Sequence, residues 1–290
     1  MPDTLSIVLP AKNEAIGLRQ TLPLIRSLYP DAELIVVDDG STDETSDVVA
    51  SVQGAICVKH PVSIGNGGAI KSGARRATGD IIVFMDADGQ HDPHDISRLL
   101  SLFDEGYDLV VGARSRKTQA SVLRSIANNF YNWLASMMTG FQILDLTSGF
   151  RAVRRKKFMR ILYLLPNKFS YPTTSTMAFF KSGYFVGYVP IEARQREGKS
   201  HISLLRDGLR FLIIILKIGA LYSPMRLFLP ISCALFYIAS LYYLYTFSSA
   251  GRFTNMGMLL YLSSLLTFLI GIVSEQVSSL HYKGTHDAEL

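Results

Sequence analysis

Two stretches near the C-terminus carry no charge: Leu227 to Gly251, between Arg226 and Arg252, and Phe253 to Ser274, before Glu275. Each exceeds the roughly 20 residues an α-helix needs to cross the hydrocarbon core of a bilayer. Two buried helices of a soluble core are the competing explanation, and the lack of a polar face on either span speaks against it. The spans are therefore read as transmembrane helices over about 226–248 and 256–278. The chain is 48% hydrophobic, yet up to about Ser200 the patterning is that of an ordinary globular domain. The expected organisation is a domain over 1–202, a juxtamembrane helix over 203–224, a membrane hairpin over 225–280 and a tail over 281–290.

The opening MPDTLSIVLP has neither a basic leader nor an early apolar helix, so no secretory signal is read. The expected topology is multi-pass in the cell membrane, with the N-terminal domain and the C-terminal tail both cytoplasmic. Arg226 and Lys283 agree with the positive-inside tendency and Arg252 opposes it weakly. Between 203 and about 221, Arg206, Arg210 and Lys217 fall within about 40° on a helical wheel, with FLIII around the other face, the pattern of a helix lying in the membrane interface. Cys57 and Cys233 are badly placed to pair, and no zinc spacing exists. A net charge of +5 suits work beside anionic lipid or phosphate. No nucleic-acid partner is expected.

The first 112 residues alternate apolar runs with helical patterns. LSIVLP (5–10), ELIVVDD (33–39), AICVKH (55–60), DIIVFMD (80–86) and DLVVGAR (108–114) read as strands buried on both faces. Helices are expected over Glu14–Ser27, Thr42–Val52, Asn66–Ala77 and about Val122–Thr139. Ser41 and Glu44 have capping-box spacing, and Asp92-Pro93 reads as an N-cap with a first-turn proline. GYFVGYVPIEAR (183–194) looks like a strand returning to the sheet. The order predicts an α/β fold, an open, mostly parallel sheet wrapped by helices. In such sheets ligands sit at the carboxyl ends of the strands. The polar clusters Lys12-Asn13-Glu14, Asp38-Asp39, His60, Asp86–Asp88 and Arg114 all fall there.

Asp86 and Asp88, separated by the small Ala87, can direct oxygen ligands to one point, an arrangement suited to Mg²⁺ or Mn²⁺ held with substrate phosphates. His91 and His94 invite a metal reading by spacing, and local hydrogen bonding at a helix start is the alternative. Asp38-Asp39 can accept hydrogen bonds from a base or ribose. GNGGA (65–69) follows the third strand and lacks the G-x-G-x-x-G register, so its glycines are read as letting a helix start pass close to the nucleotide, with a structural turn as the alternative. No P-loop is present.

Six motifs in order carry a family resemblance: V-L-P-A-K-N-E (8–14), V-D-D-G-S-T-D-E-T (37–45), D-A-D-G-Q-H-D-P (86–93), G-A-R (112–114), D-L-T-S-G-F-R (145–151) and R-E-G-K-S (196–200). Together they resemble the family 2 glycosyltransferases of the dolichyl-phosphate mannosyltransferase and polyprenyl-phosphate glucosyltransferase type. The resemblance implies a Rossmann-like GT-A fold and inverting transfer of a hexose from UDP-glucose or GDP-mannose to a polyprenyl or dolichyl phosphate. It implies that Pro10, Glu14, Asp38 and Asp39 contact the nucleoside. Asp86, Ala87 and Asp88 would lie at the diphosphate and metal, with Gln90 near the sugar or acceptor. Arg114 and Arg124 would grip the lipid phosphate. Asp145, Ser148 and Arg151 would shape the sugar and acceptor side, and Arg196 and Lys199 would close over the donor phosphates. His201 stands where a basic residue is expected, and Thr173-Thr174 where many relatives carry an acid.

A phosphomonoester is already mostly dianionic at neutral pH, so the reaction asks for little base catalysis. Asp145 is therefore expected to orient a sugar hydroxyl or an arginine rather than remove a proton. A processive polysaccharide synthase is the competing enzyme reading, disfavoured by a single tryptophan, Trp133, the lack of Q-x-x-R-W and only two spans. A silent nucleotide-sugar-binding scaffold is the non-enzymatic alternative. Tyr131 and Trp133 read as core or interface aromatics, and a homo-oligomer is left open.

Overall fold

The computed structural model describes residues 3–114, 122–168, 170–192, 213, 216, 219–220 and 223–286. Arg196, Lys199, His201 and most of the 203–224 segment lie outside the described residues, as does the side chain of Arg124. The chain divides into two compact units, Met1–Trp133 with Gln142–Phe211, and Leu134–Phe141 with Leu212–Leu290.

The first unit is built on apolar runs too continuous to leave a face in water. Strands β1 (Leu5–Ala11), β2 (Glu33–Asp38), β3 (Ala55–Lys59) and β4 (Ile81–Phe84) alternate with helices α1 (Ala15–Leu28), α2 (Thr45–Ala50) and α3 (Asn66–Arg76). Ile7, Val8, Leu9, Val36, Val37 and Val83 are fully buried, as strands covered on both sides must be. Then follow α4 (Asp95–Asp104), β5 (Leu109–Arg114), α5 (Val122–Thr139), β6 (Arg151–Arg154), α6 (Arg155–Ile161), α7 (Tyr171–Lys181) and β7 (Val186–Ile191).

The seven strands are ordered β3-β2-β1-β4-β6-β5-β7. All neighbours are parallel except β6, which runs antiparallel to both β4 and β5. From β1 the chain steps outward through β2 to β3, then returns to place β4 on the other side of β1. A crevice therefore opens at the carboxyl ends of β1 and β4. Because β6 is antiparallel and Arg151 pairs with Phe84, the loop entering β6 arrives at that same crevice. This strand was not foreseen: four residues with arginine at each end show no strand signal, and pairing on both sides creates it.

Two helix starts also differ from expectation. No capping box forms at α2, because Ser41 Oγ accepts a hydrogen bond from Asn13 N (3.0 Å) and Ser41 N donates to Asp38 Oδ1 (2.8 Å). Asp92 does not cap α4 directly. It closes a tight turn one step earlier, accepting from His94 N (3.0 Å) and contacting His94 Nδ1 (2.7 Å), and the helix begins at Asp95.

The glycines of 65–69 answer to a protein backbone. Gly67 N and Gly68 N donate to Lys168 O (3.0 Å) and Asn167 O (2.6 Å), satisfying donors that a helix start leaves unpaired. A Cβ on Gly67 would lie 2.0 Å from Pro166 O. The close backbone approach at Gly67 is thus made by the 166–168 segment, while Gly65, Asn66 and Ala69 of the same run line the cavity at the strand ends.

The second unit contains α8 (Pro224–Ala250) and α9 (Asn255–His286). Their apolar windows have mean hydropathies of 1.8 and 2.1 and are only 11% and 17% buried, so most of this greasy surface faces outward, unlike that of a core helix. The two helices are joined by reciprocal hydrogen bonds, Ser232 Oγ to Ser264 O and Ser264 Oγ to Ser232 O, each 2.9 Å. Tyr261 Oη donates to Ser240 Oγ at 3.1 Å. Glu275 accepts from Met225 N (3.2 Å) and so satisfies a donor at the start of α8.

The crowding at α3 sets a measurable order. Gly67→Ala meets a backbone carbonyl and is expected to cost about 2–3 kcal/mol, whereas Gly68→Ala meets only the movable end of Ile64 and should cost under about 1 kcal/mol. Equal melting temperatures for the two variants would refute this account.

Candidate active site at the strand ends

A cavity of ≈ 600 Å³ lies at the carboxyl ends of β1 and β4, within the range of small-molecule sites. One wall comes from Pro10 to Lys12 with Glu14, another from Asp86, Ala87 and Asp88, a third from Thr147 and Gly149, and a fourth from Lys168 and Ser170 to Thr173. Asp39 and Gly65 close the side toward β2.

The β1–α1 turn is clamped to the β2–α2 loop. Asn13, held at φ 57, accepts from Thr42 N (2.8 Å), and Glu14 N donates to Thr45 Oγ1 (3.1 Å). Asp39 is the buried acid of this corner. Its Oδ1 accepts from Ile64 N (2.9 Å), its Oδ2 from Gly65 N (2.8 Å) and Ser63 Oγ (2.7 Å), and His60 bridges Oδ1 (2.8 Å) to Ser72 Oγ (2.9 Å). Burial raises its pKa, but His60, Ser63 and the two N–H donors outweigh that and bring it down to about 2. Asp38 does not line the cavity. It is turned inward, accepting from Ser41 N and from the Ser46 hydroxyl, so of the pair only Asp39 lines the cavity.

Asp86 and Asp88 both line the cavity, either side of a buried Ala87. Asp86 lies against the backbone of Gly149, where an added Cβ would be 2.6 Å from Oδ2, and His91 Nε2 stands 3.6 Å from the same oxygen. Burial raises the Asp86 pKa, and His91, Arg114 and Arg151 together more than reverse it, leaving the acid ionised. The His91 ring stacks on Phe150 at 5.0 Å. Among the described residues no cluster of three or more His, Cys, Asp or Glu forms a complete metal cage. Two carboxylates on one wall, with no sulfur or imidazole set, fit a hard cation whose remaining ligands are substrate oxygens. Asp88 Oδ1 also accepts from Gln90 N (3.2 Å), and Gln90 itself is half-buried outside the cavity lining.

Arg114, at the tip of β5, forms a two-pronged ion pair with Asp145. Nε donates to Oδ2 (2.9 Å), a terminal nitrogen to Oδ1 (3.1 Å) and the backbone N–H to Oδ2 (3.2 Å). Thr147 N and Ser148 N donate to Asp145 as well (2.9 and 3.1 Å). Burial pushes the Asp145 pKa up, and Arg114 with these N–H donors pulls it below the usual carboxylate range. Such a carboxylate is a poor proton acceptor and a good orienting group.

Two expected contacts move beneath the site. Ser148 is buried. Arg151 is fully buried in β6, donating to Pro172 O (2.9 Å), Ser175 Oγ (2.7 Å), Thr176 Oγ1 (3.1 Å) and Ser148 O, with its charge 5.5 Å from the Tyr171 ring centroid. Tyr171 Oη donates to Gly149 O (2.8 Å). Arg151 therefore braces the loop behind Asp86 and is out of reach of a lipid phosphate. Of the wall from Lys168 to Thr173, the sequence singles out only Thr173; the rest is mostly uncharged, and only its docking on α3 brings it there.

Comparison with known proteins follows this geometry. Residues 6–162 match glycosyl transferase family 2. The chain belongs to that family. Its C-terminal part, 223–280, matches the GtrB C-terminal hairpin. An uncharacterized protein of Methanocaldococcus jannaschii is 33% identical over 169 residues, 55% of this chain and 68% of that one. Undecaprenyl-phosphate 4-deoxy-4-formamido-L-arabinose transferase of Proteus mirabilis is 36% identical over 160 residues, 52% of this family 2 chain and 48% of the transferase. The match thus spans about half of that relative's length. Glucosyl-3-phosphoglycerate synthase from Mycobacterium tuberculosis, solved with Mn²⁺ and UDP-glucose, has a TM-score of 0.62 at 24% identity, covering 75% of this chain and 79% of that one. It shares the GT-A-like fold.

For this family 2 site the low Asp39 pKa carries a prediction. A folded pKa of about 2 against an ordinary 3.8 contributes stability that is complete above about pH 4 and lost as the pH falls toward 2. Asp39→Asn should flatten that acid limb. At neutral pH it should cost about 1–3 kcal/mol, because an amide cannot accept on both sides. Denaturation between pH 2 and 7 reads both effects.

Proposed function

We propose that this chain transfers a hexose from a nucleotide sugar, UDP-glucose or GDP-mannose, to a polyprenyl phosphate at the cytoplasmic face of the membrane, with inversion at the anomeric carbon. The observation that carries the reading is the joining, in one family 2 chain, of the Asp86/Asp88 cleft to a terminal hairpin matching the GtrB model. The relative that acts on undecaprenyl phosphate supports the acceptor class, and the fold neighbour solved with Mn²⁺ and UDP-glucose supports a nucleotide-sugar donor with a divalent ion.

On this reading Asp86 and Asp88 hold Mg²⁺ or Mn²⁺ against the donor diphosphate, and Pro10, Glu14 and Asp39 receive the nucleoside. A bound divalent ion would supply charge neutralisation for the departing nucleoside diphosphate. Arg114, fixed by Asp145, presents its remaining donor capacity to the acceptor phosphate and lowers the repulsion between two anions brought into line. Arg124 would add to that contact, and Arg196 with Lys199 would screen the donor phosphates. The acceptor phosphate is mostly dianionic at neutral pH, so it attacks with no proton to remove, and Asp145 acts by orienting Arg114. Placing this cleft at the headgroup plane is the task of the hairpin, since drawing a polyprenyl chain into water costs about 0.8 kcal/mol per methylene.

The test is incubation of the purified full chain with polyprenyl phosphate, Mg²⁺ or Mn²⁺ and a panel of nucleotide sugars, with lipid mass spectrometry of the product. A polyprenyl-phosphate hexose is expected, and no glycolipid from any donor would refute the proposal. Asp88→Asn should lower kcat/KM by about 100-fold or more. Asp145→Asn should raise the acceptor KM by roughly tenfold and leave the pH–rate profile unchanged in shape, whereas loss of the acid-side limb would show that Asp145 is a proton acceptor after all.

A further inference from the structure

His60 stands just past the end of β3, and nothing in the proposed reaction gives it a task. Its backbone N–H donates to Asp38 O (2.9 Å), which fixes it beside the sheet. Its side chain, only 12% exposed, lies between two other elements. Nδ1 is 2.8 Å from Asp39 Oδ1 at the end of β2, and Nε2 is 2.9 Å from Ser72 Oγ on α3. An ionised Asp39 can only accept, so Nδ1 carries a proton. In the neutral ring Nε2 then accepts from the Ser72 hydroxyl. Partners at both nitrogens set the tautomer and the ring plane together.

Asp39 in turn shapes the segment that enters α3. Ile64 N and Gly65 N donate to it, as do the Ser63 hydroxyl and His60, which makes two bonds on each oxygen. An ionised carboxylate has about four accepting positions, so this one has little left for a ligand. Its influence passes to the turn instead. Apolar burial does not fix that turn, because Val62 is 65% exposed and Ile64 38%. On one side its backbone lies against Gly40, where a Cβ would be 2.9 Å from Ser63 N. Ser63, Gly65 and Asn66 then line the cavity beside Asp39. The helix that follows carries Gly67 and Gly68, on which the 166–168 wall docks.

We propose that His60 is a positioning residue for the nucleoside end of the donor. By joining Asp39 to Ser72 it fixes the Ser63–Gly65 turn against which a nucleoside diphosphate seats. The inference rests on the nucleotide-sugar reading above, which puts the nucleoside beside Asp39. It adds that the nucleoside is met by the turn Asp39 shapes, since the carboxylate is already filled. The effect is therefore confined to ligands that carry a nucleoside. Bare pyrophosphate, held with a divalent ion at Asp86 and Asp88, makes no use of the turn.

The purified full chain is titrated calorimetrically, in the presence of Mn²⁺, with UDP, GDP and inorganic pyrophosphate. His60→Leu removes both ring contacts. It should weaken whichever nucleoside diphosphate the wild type takes up by about tenfold, the effect of one hydrogen bond to a charged group, and leave pyrophosphate within about twofold. His60→Asn places an amide N–H near the position of Nδ1 and should recover affinity to within about threefold of wild type. In turnover, His60→Leu should raise the donor KM about tenfold, with kcat and the acceptor KM little changed.

Equal weakening of pyrophosphate and nucleoside diphosphate would mean general damage to the site and overturns the proposal. So does wild-type affinity in His60→Leu, and so does a His60→Asn variant no better than His60→Leu. If His60→Leu does not fold, Ser72→Ala carries the same test with an expected loss of about threefold, and wild-type affinity there overturns the proposal. A wild-type chain that takes up neither UDP nor GDP would refute the nucleotide-sugar reading and this inference with it. One that binds either of them and makes no glycolipid would refute the transfer reaction and leave the role of His60 standing.

Discussion

The structure depends on holding negative charge at the ends of buried strands. Asp39 and Asp86 stand where apolar strands give way to a cleft, Asp145 lies in the loop that enters β6, and each meets a desolvation cost that would neutralise an isolated carboxyl. Each is kept ionised by a different device. Asp39 is surrounded by N–H and O–H donors with His60 behind it, Asp86 feels His91, Arg114 and Arg151, and Asp145 is gripped by Arg114 and two backbone amides. The buried arginine is part of this balance. Arg151 has no carboxylate among the hydrogen-bond partners named above, and its charge is met by carbonyls, hydroxyls and the face of Tyr171. Such a cation costs free energy on its own; its field on Asp86 and its hold on Ser148 O provide a physical reason for its presence.

That arrangement requires the antiparallel strand β6. A parallel strand beside β4 would carry the 148–150 loop to the opposite edge of the sheet, and no backbone would lie against Asp86. The reversal also explains why Gly149 is a glycine, since any side chain there would meet the carboxylate. Fold and site are thus decided by one topological step between β5 and β7.

Most of this was legible where local pattern and tertiary role coincide. The strands of the β1 to β5 series show as unbroken apolar runs, and their polar ends mark the cleft because parallel strands end on one side. The expectation that Asp145 orients a sugar hydroxyl or an arginine left two partners open, and the structure shows the arginine, Arg114. What was not legible depended on partners far along the chain. Gly65 and Gly67 of the GNGGA run face Pro166 to Lys168, Ser41 is engaged by Asn13 rather than by the helix it precedes, and β6 exists only through its neighbours. Arg151 reads in sequence like a ligand for phosphate. Its burial follows from residues in α7, whose Ser and Thr side chains give no sign of serving a guanidinium.

The two units of the chain pose opposite solvation problems. On the proposed reaction, a charged cleft must stay in contact with water-borne nucleotide, while an isoprenoid acceptor stays in oil. The acceptor phosphate would then sit at the boundary, where the potential of anionic headgroups disfavours a second anion. An arginine fixed by a carboxylate is well matched to that position, because its charge does not titrate and its planar donors are already aligned. A lysine would keep the charge and lose the alignment.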